Sequence, residues 1–496
     1  MTRSQLNVQK RFRRASESES EYLMDQREYS VPLKACQWND RKVIGSPKMM
    51  SAKAFISSII LKSYQLILFV SFSIPVITVA EPVFVMKSES FNVKPKLWLS
   101  SEYDDNVFYE ADLEPTGNLP NQGAVLKVGG ALNIENRTKS SVGLNIDASS
   151  AYRQYVYLDD QNGRAQSDLD KLRQGRNGFD FARLNGRLVL GALSDIQLIL
   201  QDRFNYIERP AYEGTVFGFE RVDNRLGTAV DFAPGRRNGG GPLGLKLGYE
   251  LRSIFFLNDG DGLLIQNRSE KQAHTLSLET RWRFLPKNFL TFELAYTSND
   301  YNDFGSTGED DPANDNIELA SRDSTPLRVQ LGLTGLITPR FSVFLKGGYA
   351  NTYNKNGESF IGFIGLFQLS YTFIPLFDIN IGYQRDGQDS GFSNFYVLNR
   401  YFTKLNYRPS DRLSISGNVS YDIYNYNASN AIDSADREDP VLRSQIAVRT
   451  VLPSHFAIQV AYSIEANYTE YQLPVNDPVD FASYQRQLFS LALFFN

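Results

Sequence analysis

Residues 455–471 read HFAIQVAYSIEANYTEY, and this stretch shows the pattern that decides the fold. From Phe456 to Ile464 every second side chain is large and apolar, and the residues between them are small or polar. Successive side chains of a β-strand point to opposite faces, so the alternation predicts a strand with one apolar and one polar face. The apolar face then meets either a second sheet or the hydrocarbon of a membrane.

The same alternation recurs along the chain after Glu81 and predicts eighteen strands. These are 91–102, 123–137, 140–157, 178–192, 195–209, 217–233, 243–256, 271–285, 288–300, 325–337, 340–353, 360–374, 376–388, 393–408, 412–427, 441–452, 456–471 and 482–495. Most exceed the roughly 9–11 residues that a tilted strand needs to cross a membrane. Short connections such as ITPR (337–340) alternate with long polar ones such as 299–323. That sorting is typical of an outer-membrane barrel.

We therefore predict an all-β fold for residues 81–496: a transmembrane antiparallel up-and-down β-barrel of about 18 strands in the bacterial outer membrane. An even strand number places both termini on the short-turn side, so we expect periplasmic termini. A soluble β-sandwich or propeller predicts strands of about 5–6 residues and no sorting of loop lengths. The apolar face of 455–471 is then expected to meet outer-membrane lipid and lipopolysaccharide.

The first 80 residues have a different composition. The run from Phe55 to Ala80 is apolar, follows Lys48 and Lys53, and ends in small residues, which indicates a signal peptide. Begun at Met49 or Met50, this signal covers 49–80. Residues 1–48 are polar and charged without periodicity. Two interpretations remain for them: a disordered segment upstream of the true start, which we favour, or a cytoplasmic tail.

Composition limits the chemistry. The chain has one cysteine, Cys36, and two histidines, His274 and His455, which are far apart and lie in no recognisable motif. We therefore predict no catalytic residue, no metal site and no cofactor, and not an enzyme. After residue 80 the chain holds 40 basic and 50 acidic residues, a net charge of -10. Nucleic acid is excluded as a partner because it requires a basic face.

The polar faces of the strands carry too many charges for a dry core, so we expect them to line a wet lumen. The candidate lumen residues are Arg183, Arg187, Arg203, Lys246, Arg281, Arg283, Arg328, Lys346, Arg443, Arg449 and Arg486. One hypothesis is that they attract anionic solutes or an acidic polysaccharide. The alternative, that they pair with carboxylates across strands, is equally open.

Two further segments suggest partners. The last strand, QLFSLALFF, places Phe489, Leu491, Leu493 and Phe495 on one face before Asn496. Such an aromatic end is what the barrel-insertion machinery reads in outer-membrane proteins. The acidic segment 299–323 is compatible with divalent cations that bridge to lipopolysaccharide, but a solvated charge run is the simpler interpretation.

Residues 91–112, FNVKPKLWLSSEYDDNVFYEAD, begin with an alternating strand and contain Tyr103, Asp104, Asp105 and Asn106. The side-chain oxygens suit a Ca²⁺ site or, as we favour, a turn. This stretch resembles the second outer-membrane β-barrel porin family, whose members are often encoded beside exopolysaccharide genes. The resemblance implies polysaccharide export with a periplasmic polysaccharide-export protein as partner.

The sequence thus predicts a channel that passes polymer or solute, with exopolysaccharide export as the first reading. A general or anion-selective diffusion porin is the alternative, and an inward-folded 299–323 would favour it. An outer-membrane barrel enzyme is a distant third, since it needs Ser, His and a carboxylate together.

Overall fold

The structure is a computed structural model. It describes residues 86–87, 91–105, 122–136, 141–159, 177–207, 221–236, 241–257, 270–301, 323–355, 357–389, 395–427, 437–453, 456–469 and 484–495. The segment 1–48, the predicted signal peptide 49–80, Asn106, His455 and most of 299–323 lie outside these ranges. No helix in the described part of the chain is long and apolar enough to cross a membrane.

Within these ranges the chain forms strands, in the order β1 Met86–Lys87, β2 Phe91–Asp104, β3 Gln122–Asn136, β4 Val142–Asp159, β5 Gly178–Leu190, β6 Ile196–Ile207, β7 Arg221–Phe232, β8 Leu243–Phe256, β9 Lys271–Leu285, β10 Asn288–Tyr301, β11 Leu327–Thr338, β12 Phe341–Asn351, β13 Ile361–Ile374, β14 Phe377–Asp389, β15 Phe395–Tyr407, β16 Leu413–Tyr426, β17 Arg437–Val451, β18 Phe456–Asn467 and β19 Tyr484–Phe495. The eighteen long strands match the predicted ones. The largest differences are of four residues: β7 begins later than predicted, β17 begins earlier and β18 ends earlier.

The long strands close into a barrel. Each pairs antiparallel with its neighbours in the chain, and β19 pairs with β2 from Leu488↔Asp104 to Phe495↔Leu97. Below that point the edge of β2 is free of β19, and the two-residue β1 pairs there with Asn92 and Val93. Closure removes the open sheet edges that a membrane does not tolerate.

The outer surface of the barrel is apolar. Val460 and Tyr462, from the stretch that opened the sequence analysis, are 39% and 37% exposed and point outwards. Near the short turns, outward aromatic rings follow one another around the wall; they are Phe341, Tyr371, Phe373, Phe377 and Tyr407. An apolar band with an aromatic girdle is the lipid contact of outer-membrane barrels. The chain is therefore an outer-membrane β-barrel, as predicted.

The connections are sorted as the sequence indicated. Turns such as 286–287, 339–340 and 375–376 lie at one end of the barrel, where β2 begins and β19 ends. The other end, called the mouth below, carries the long connections. Two connections depart from this sorting: 233–242, at the short-turn end, has ten residues, and 390–394, between β14 and β15 at the mouth, has five.

Candidate functional site

The inner face of the wall holds the predicted lumen residues. Each alternates along its strand with outward apolar side chains, as Arg281 does with Leu276, Trp282 and Phe284. All eleven predicted basic residues lie on this inner face by the same alternation. A basic residue can attract a solute only if its charge is not already neutralised, so the contacts of each residue decide its role.

At least five of the eleven are paired with carboxylates of the described residues. Arg281 binds Glu279 at 3.0 Å and Arg328 binds Asp386 at 2.6 Å, while Lys346 pairs with Glu293. Arg443 contacts Asp422 and Glu465, and Arg486 contacts Asp104. For these five residues the contacts agree with the alternative interpretation, in which the basic side chains pair with carboxylates inside the barrel wall.

A different arrangement occupies β6, β7 and β8. Arg203 lies directly opposite Arg225, and Arg225 lies directly opposite Arg252. We call these three residues the arginine ladder. Like charges directly opposite one another on a sheet face are destabilising, so the ladder costs the wall stability. Sequence reasoning found Arg203 but missed Arg225 and Arg252, although both alternate with outward apolar residues.

Carboxylates pair with two members of the arginine ladder, Arg252 and Arg225. Asp223 accepts two hydrogen bonds from Arg252, at 3.1 and 2.7 Å, and lies 3.7 Å from the Arg225 guanidinium, which also lies 3.9 Å from the Glu250 carboxylate. Arg203, at the other end, meets no carboxylate within the described residues; with its amide turned, Gln201 accepts from it at 2.5 and 2.8 Å. Positive charge therefore persists towards β5 and β6.

Two predicted residues on β5 extend this basic surface. Arg183 lies opposite Asn205, and Arg187 lies opposite Gln201, so both flank Arg203 on the next strand. The Arg183 guanidinium lies 5.1 Å from the centre of the Phe181 ring. Lys246 on β8 is opposite Asp231 and Glu279. Arg283 lies opposite Phe289, and Arg449 lies over the Phe494 ring at 4.8 Å.

The ends of β14 and β15 form an arm inside the lumen, which we call the β14–β15 arm (386–389 with 395–397). Pairing between β13 and β14 stops at Gly365↔Arg385, although both strands continue towards the mouth. Pairing between β14 and β15 continues to Asp389↔Phe395. The two strands therefore leave β13 together, while β15 remains paired with β16 up to Tyr396↔Tyr426.

Polar contacts hold the β14–β15 arm against the inner face of β9–β11. Asp389 accepts hydrogen bonds from Lys271 at 2.9 Å, Tyr301 at 3.0 Å and Asn299 at 3.2 Å. Arg328 donates to Asp386 and to the carbonyl of Gly387. Five strand steps separate β9 from β14 along the wall, roughly 24 Å at the usual spacing. A single lysine–aspartate pair bridges them because the arm lies across the lumen.

Apolar packing fixes the same arm. Phe395 and Val397 pack against the buried cluster Ala350, Phe360 and Ile364 of the inner wall. At Gly387 a Cβ atom would lie 2.3 Å from the Phe360 ring, so only glycine permits this approach. An inward element is thus found at the mouth ends of β14 and β15; most of 299–323, the segment whose inward folding would favour a porin, lies outside the described residues.

The segment 103–106, which carries the family resemblance, has side chains on both faces of the wall. Tyr103 points outwards and its hydroxyl donates to Gln122 at 2.6 Å. Asp104 points inwards, is 1% exposed, and accepts from Arg486 at 2.9 and 2.6 Å. The favoured turn is therefore wrong for Asp104, which ends β2 and helps to close the barrel. No metal-binding group of three or more such side chains occurs among the described residues.

Asp105 follows β2 at the mouth. Its carboxylate accepts from the backbone amide of Gln487 on β19. Burial raises the pKa of the Asp105 carboxyl above its ordinary value, and the Gln487 amide opposes that shift. Asp105 thus extends the β19–β2 junction by one hydrogen bond beyond the strand.

His274 faces away from the lumen. It lies on the outer face of β9, where its Nδ1 shares a hydrogen bond of 2.7 Å with the Tyr249 hydroxyl. The serine and carboxylate of a hydrolase triad are not its partners in the described residues.

These features define a class: a transmembrane β-barrel of the bacterial outer membrane with a charged, partly constricted lumen. No family model matches the chain, and no curated protein matches it. Among solved structures, Pseudomonas aeruginosa OpdQ is 10% identical, with a TM-score of 0.42 over 82% of this chain and 97% of that one. OccK3 (OpdO) of the same organism is 12% identical, with a TM-score of 0.42 over 81% and 95%.

A third structure is the outer membrane protein OpdK of Pseudomonas aeruginosa, 12% identical, with a TM-score of 0.41 over 81% of this chain and 98% of that one. Likenesses this low say nothing about substrate. The barrel implied by the family resemblance is confirmed by the fold itself. Membership of that family stays a prediction, and its link to exopolysaccharide export finds no support in these comparisons.

Proposed function

We propose that the barrel is a passive channel for small anionic solutes, the alternative that the sequence left open. The observation that carries the proposal is the arginine ladder. Directly opposed arginines weaken a sheet. Their presence in the lumen therefore indicates a functional role for the positive charge. A guanidinium surface in a narrow lumen concentrates anions and lowers the barrier to their passage.

The β14–β15 arm supports a channel that sorts solutes by size. It occupies the lumen near the mouth on the β9–β13 side, and its anchor Lys271 lies on the strand next to Arg252, the β8 end of the arginine ladder. A solute is thereby directed along β5–β7. Exopolysaccharide export remains the reading implied by resemblance, and no contact of the described residues favours it.

Ion selectivity tests the proposal. We expect the refolded chain in a planar bilayer to give steady open steps and an anion-selective reversal potential in a KCl gradient. The double variant Arg203→Gln/Arg225→Gln should lower the anion-to-cation permeability ratio about threefold or more, because it removes two positive charges from the lumen surface, and that of Arg203 meets no carboxylate in the described residues.

The control is Arg281→Gln, which removes an arginine already paired with Glu279. We expect a smaller change in the permeability ratio than with the double variant. A wild-type channel that prefers cations, or a control that changes selectivity as much as the double variant, contradicts the proposal. A folded barrel that stays closed favours a dedicated exporter.

A further inference from the structure

Aromatic rings line the lumen on the side where β19 meets β2. Trp98 on β2 lies directly opposite Phe494 on β19, and both point inwards. Further along, Trp98 and the Phe181 ring on β5 lie 6.3 Å apart, centre to centre, and their planes differ by 10°. All three rings are partly exposed. Exposed rings are unusual in a wet lumen and mark contact surfaces.

Small residues make room for these rings. A Cβ atom on Gly129 would lie 2.2 Å from the Trp98 ring, so the indole rests on the bare backbone of β3. Ala151 on β4, next to Gly129 and Phe181 in the register, is 2% exposed. The indole therefore lies along the wall, with its other face towards the lumen.

A guanidinium stands at each end of the row. The Arg449 guanidinium lies 4.8 Å from the Phe494 ring centre, and the Arg183 guanidinium lies 5.1 Å from the Phe181 ring centre. We call Arg449, Phe494, Trp98, Phe181 and Arg183 the aromatic track. From β19 to β5 it crosses four strand steps, roughly 19 Å. Because barrel strands tilt, a row that runs across them also climbs along the axis.

We propose that the aromatic track binds acidic sugars. A sugar ring presents a flat face of C–H groups that packs on an aromatic ring, and a uronic acid adds one carboxylate at its edge. A guanidinium pairs with that carboxylate in a bidentate geometry. The ring–guanidinium combination selects for both features at once, and the length of the track accommodates more than one sugar ring.

This inference rests on the proposed function, since both require an open lumen, but it names a substrate class that charge alone does not. An arginine surface without rings would treat all small carboxylates alike. The aromatic track should distinguish a cyclic acid from its open-chain counterpart.

Solute-induced blockade of single-channel current tests the inference. The probes are D-galacturonate, neutral D-galactose, the open-chain acid D-galactonate, and benzoate. We expect galacturonate to give the longest blockades. Trp98→Leu should shorten them about five- to tenfold, the usual effect of losing one stacking contact. Trp282→Leu is the matched control, because Trp282 is 51% exposed on the outer face.

Phe181→Leu provides a second variant should Trp98→Leu fail to fold, and we expect a similar shortening. Equal blockade by galactonate and galacturonate, or equal residence in Trp98→Leu and Trp282→Leu, overturns the proposal. Blockade by benzoate alone assigns the track to aromatic acids and overturns it as well. Anion selectivity is read separately, from the reversal potential of the wild-type channel, so the two proposals can fail independently.

Discussion

Two sides of the lumen handle positive charge in opposite ways. On the β9–β14 side Lys271 and Arg328 are held by Asp389 and Asp386 at 2.9 and 2.6 Å. On the β6–β8 side Arg203, Arg225 and Arg252 face one another. The charges of the first set have a structural role, because each ion pair holds the β14–β15 arm in place. In the second set Asp223 and Glu250 pair with Arg252 and Arg225, whereas Arg203 meets no carboxylate in the described residues and keeps its charge available to a solute. The presence of a carboxylate partner, and not the number of basic residues, therefore distinguishes a structural charge from one that faces a solute.

The largest expected effect comes from breaking the paired side. Asp386→Asn together with Asp389→Asn leaves Arg328 and Lys271 without these carboxylates, and loss of one partner of a largely buried pair costs about 2–4 kcal/mol. We expect the β14–β15 arm to detach and the single-channel conductance to rise. Thermal unfolding in detergent, followed by heat-modifiable migration, reports the loss of stability.

Glu279→Gln is the control for that double variant, because its partner Arg281 is largely exposed and such pairs contribute little. Unchanged conductance in the double variant would falsify the idea that carboxylates hold the arm.

A smaller effect is expected at the β19–β2 junction. Asp104→Asn removes the bidentate partner of Arg486 and should cost about 2 kcal/mol, seen as a lower denaturant midpoint without a change in conductance. Glu135→Gln, from the exposed pair with Lys94, should leave the midpoint unchanged. If the two variants are equally stable, the Asp104–Arg486 pair contributes nothing measurable to the stability of the barrel.

The smallest effect is expected at Asp105. Its raised folded pKa means that the folded state binds the proton more tightly, so stability increases slightly as pH falls through that pKa towards the unfolded value of 3.8. Asp105→Asn should abolish this dependence and change the melting temperature by about 1 °C or less at neutral pH. A clear loss of stability at neutral pH would show that the charged carboxylate is needed for the Gln487 contact.

The strands and their faces could be predicted because alternation is local: Phe456, Ile458 and Val460 define their own strand without knowledge of its neighbours. The inward placement of Arg203 and Arg281 follows from the same rule. Arg225 and Arg252 carried this signal too and were overlooked. The pairing of charges could not be predicted, since Asp104 and Arg486 are 382 residues apart in the chain.

The β14–β15 arm escaped prediction for a different reason. Its residues alternate like any strand, and only the loss of pairing beyond Gly365↔Arg385 sends them inwards. Gly387, which admits the Phe360 ring, was the one local sign. A glycine within a strand indicates a close approach, but it does not say of what.

The junction of β19 with β2 also sets the timing of assembly. The first long strand finds its second neighbour only when the last twelve residues before Asn496 have been made, and contacts of such sequence separation form slowly. Until then the sheet has two open edges, each a template for pairing with another chain. In a prematurely terminated product these two edges therefore stay unpaired. A protease or chaperone that binds unpaired strand edges could distinguish such a chain from a complete one.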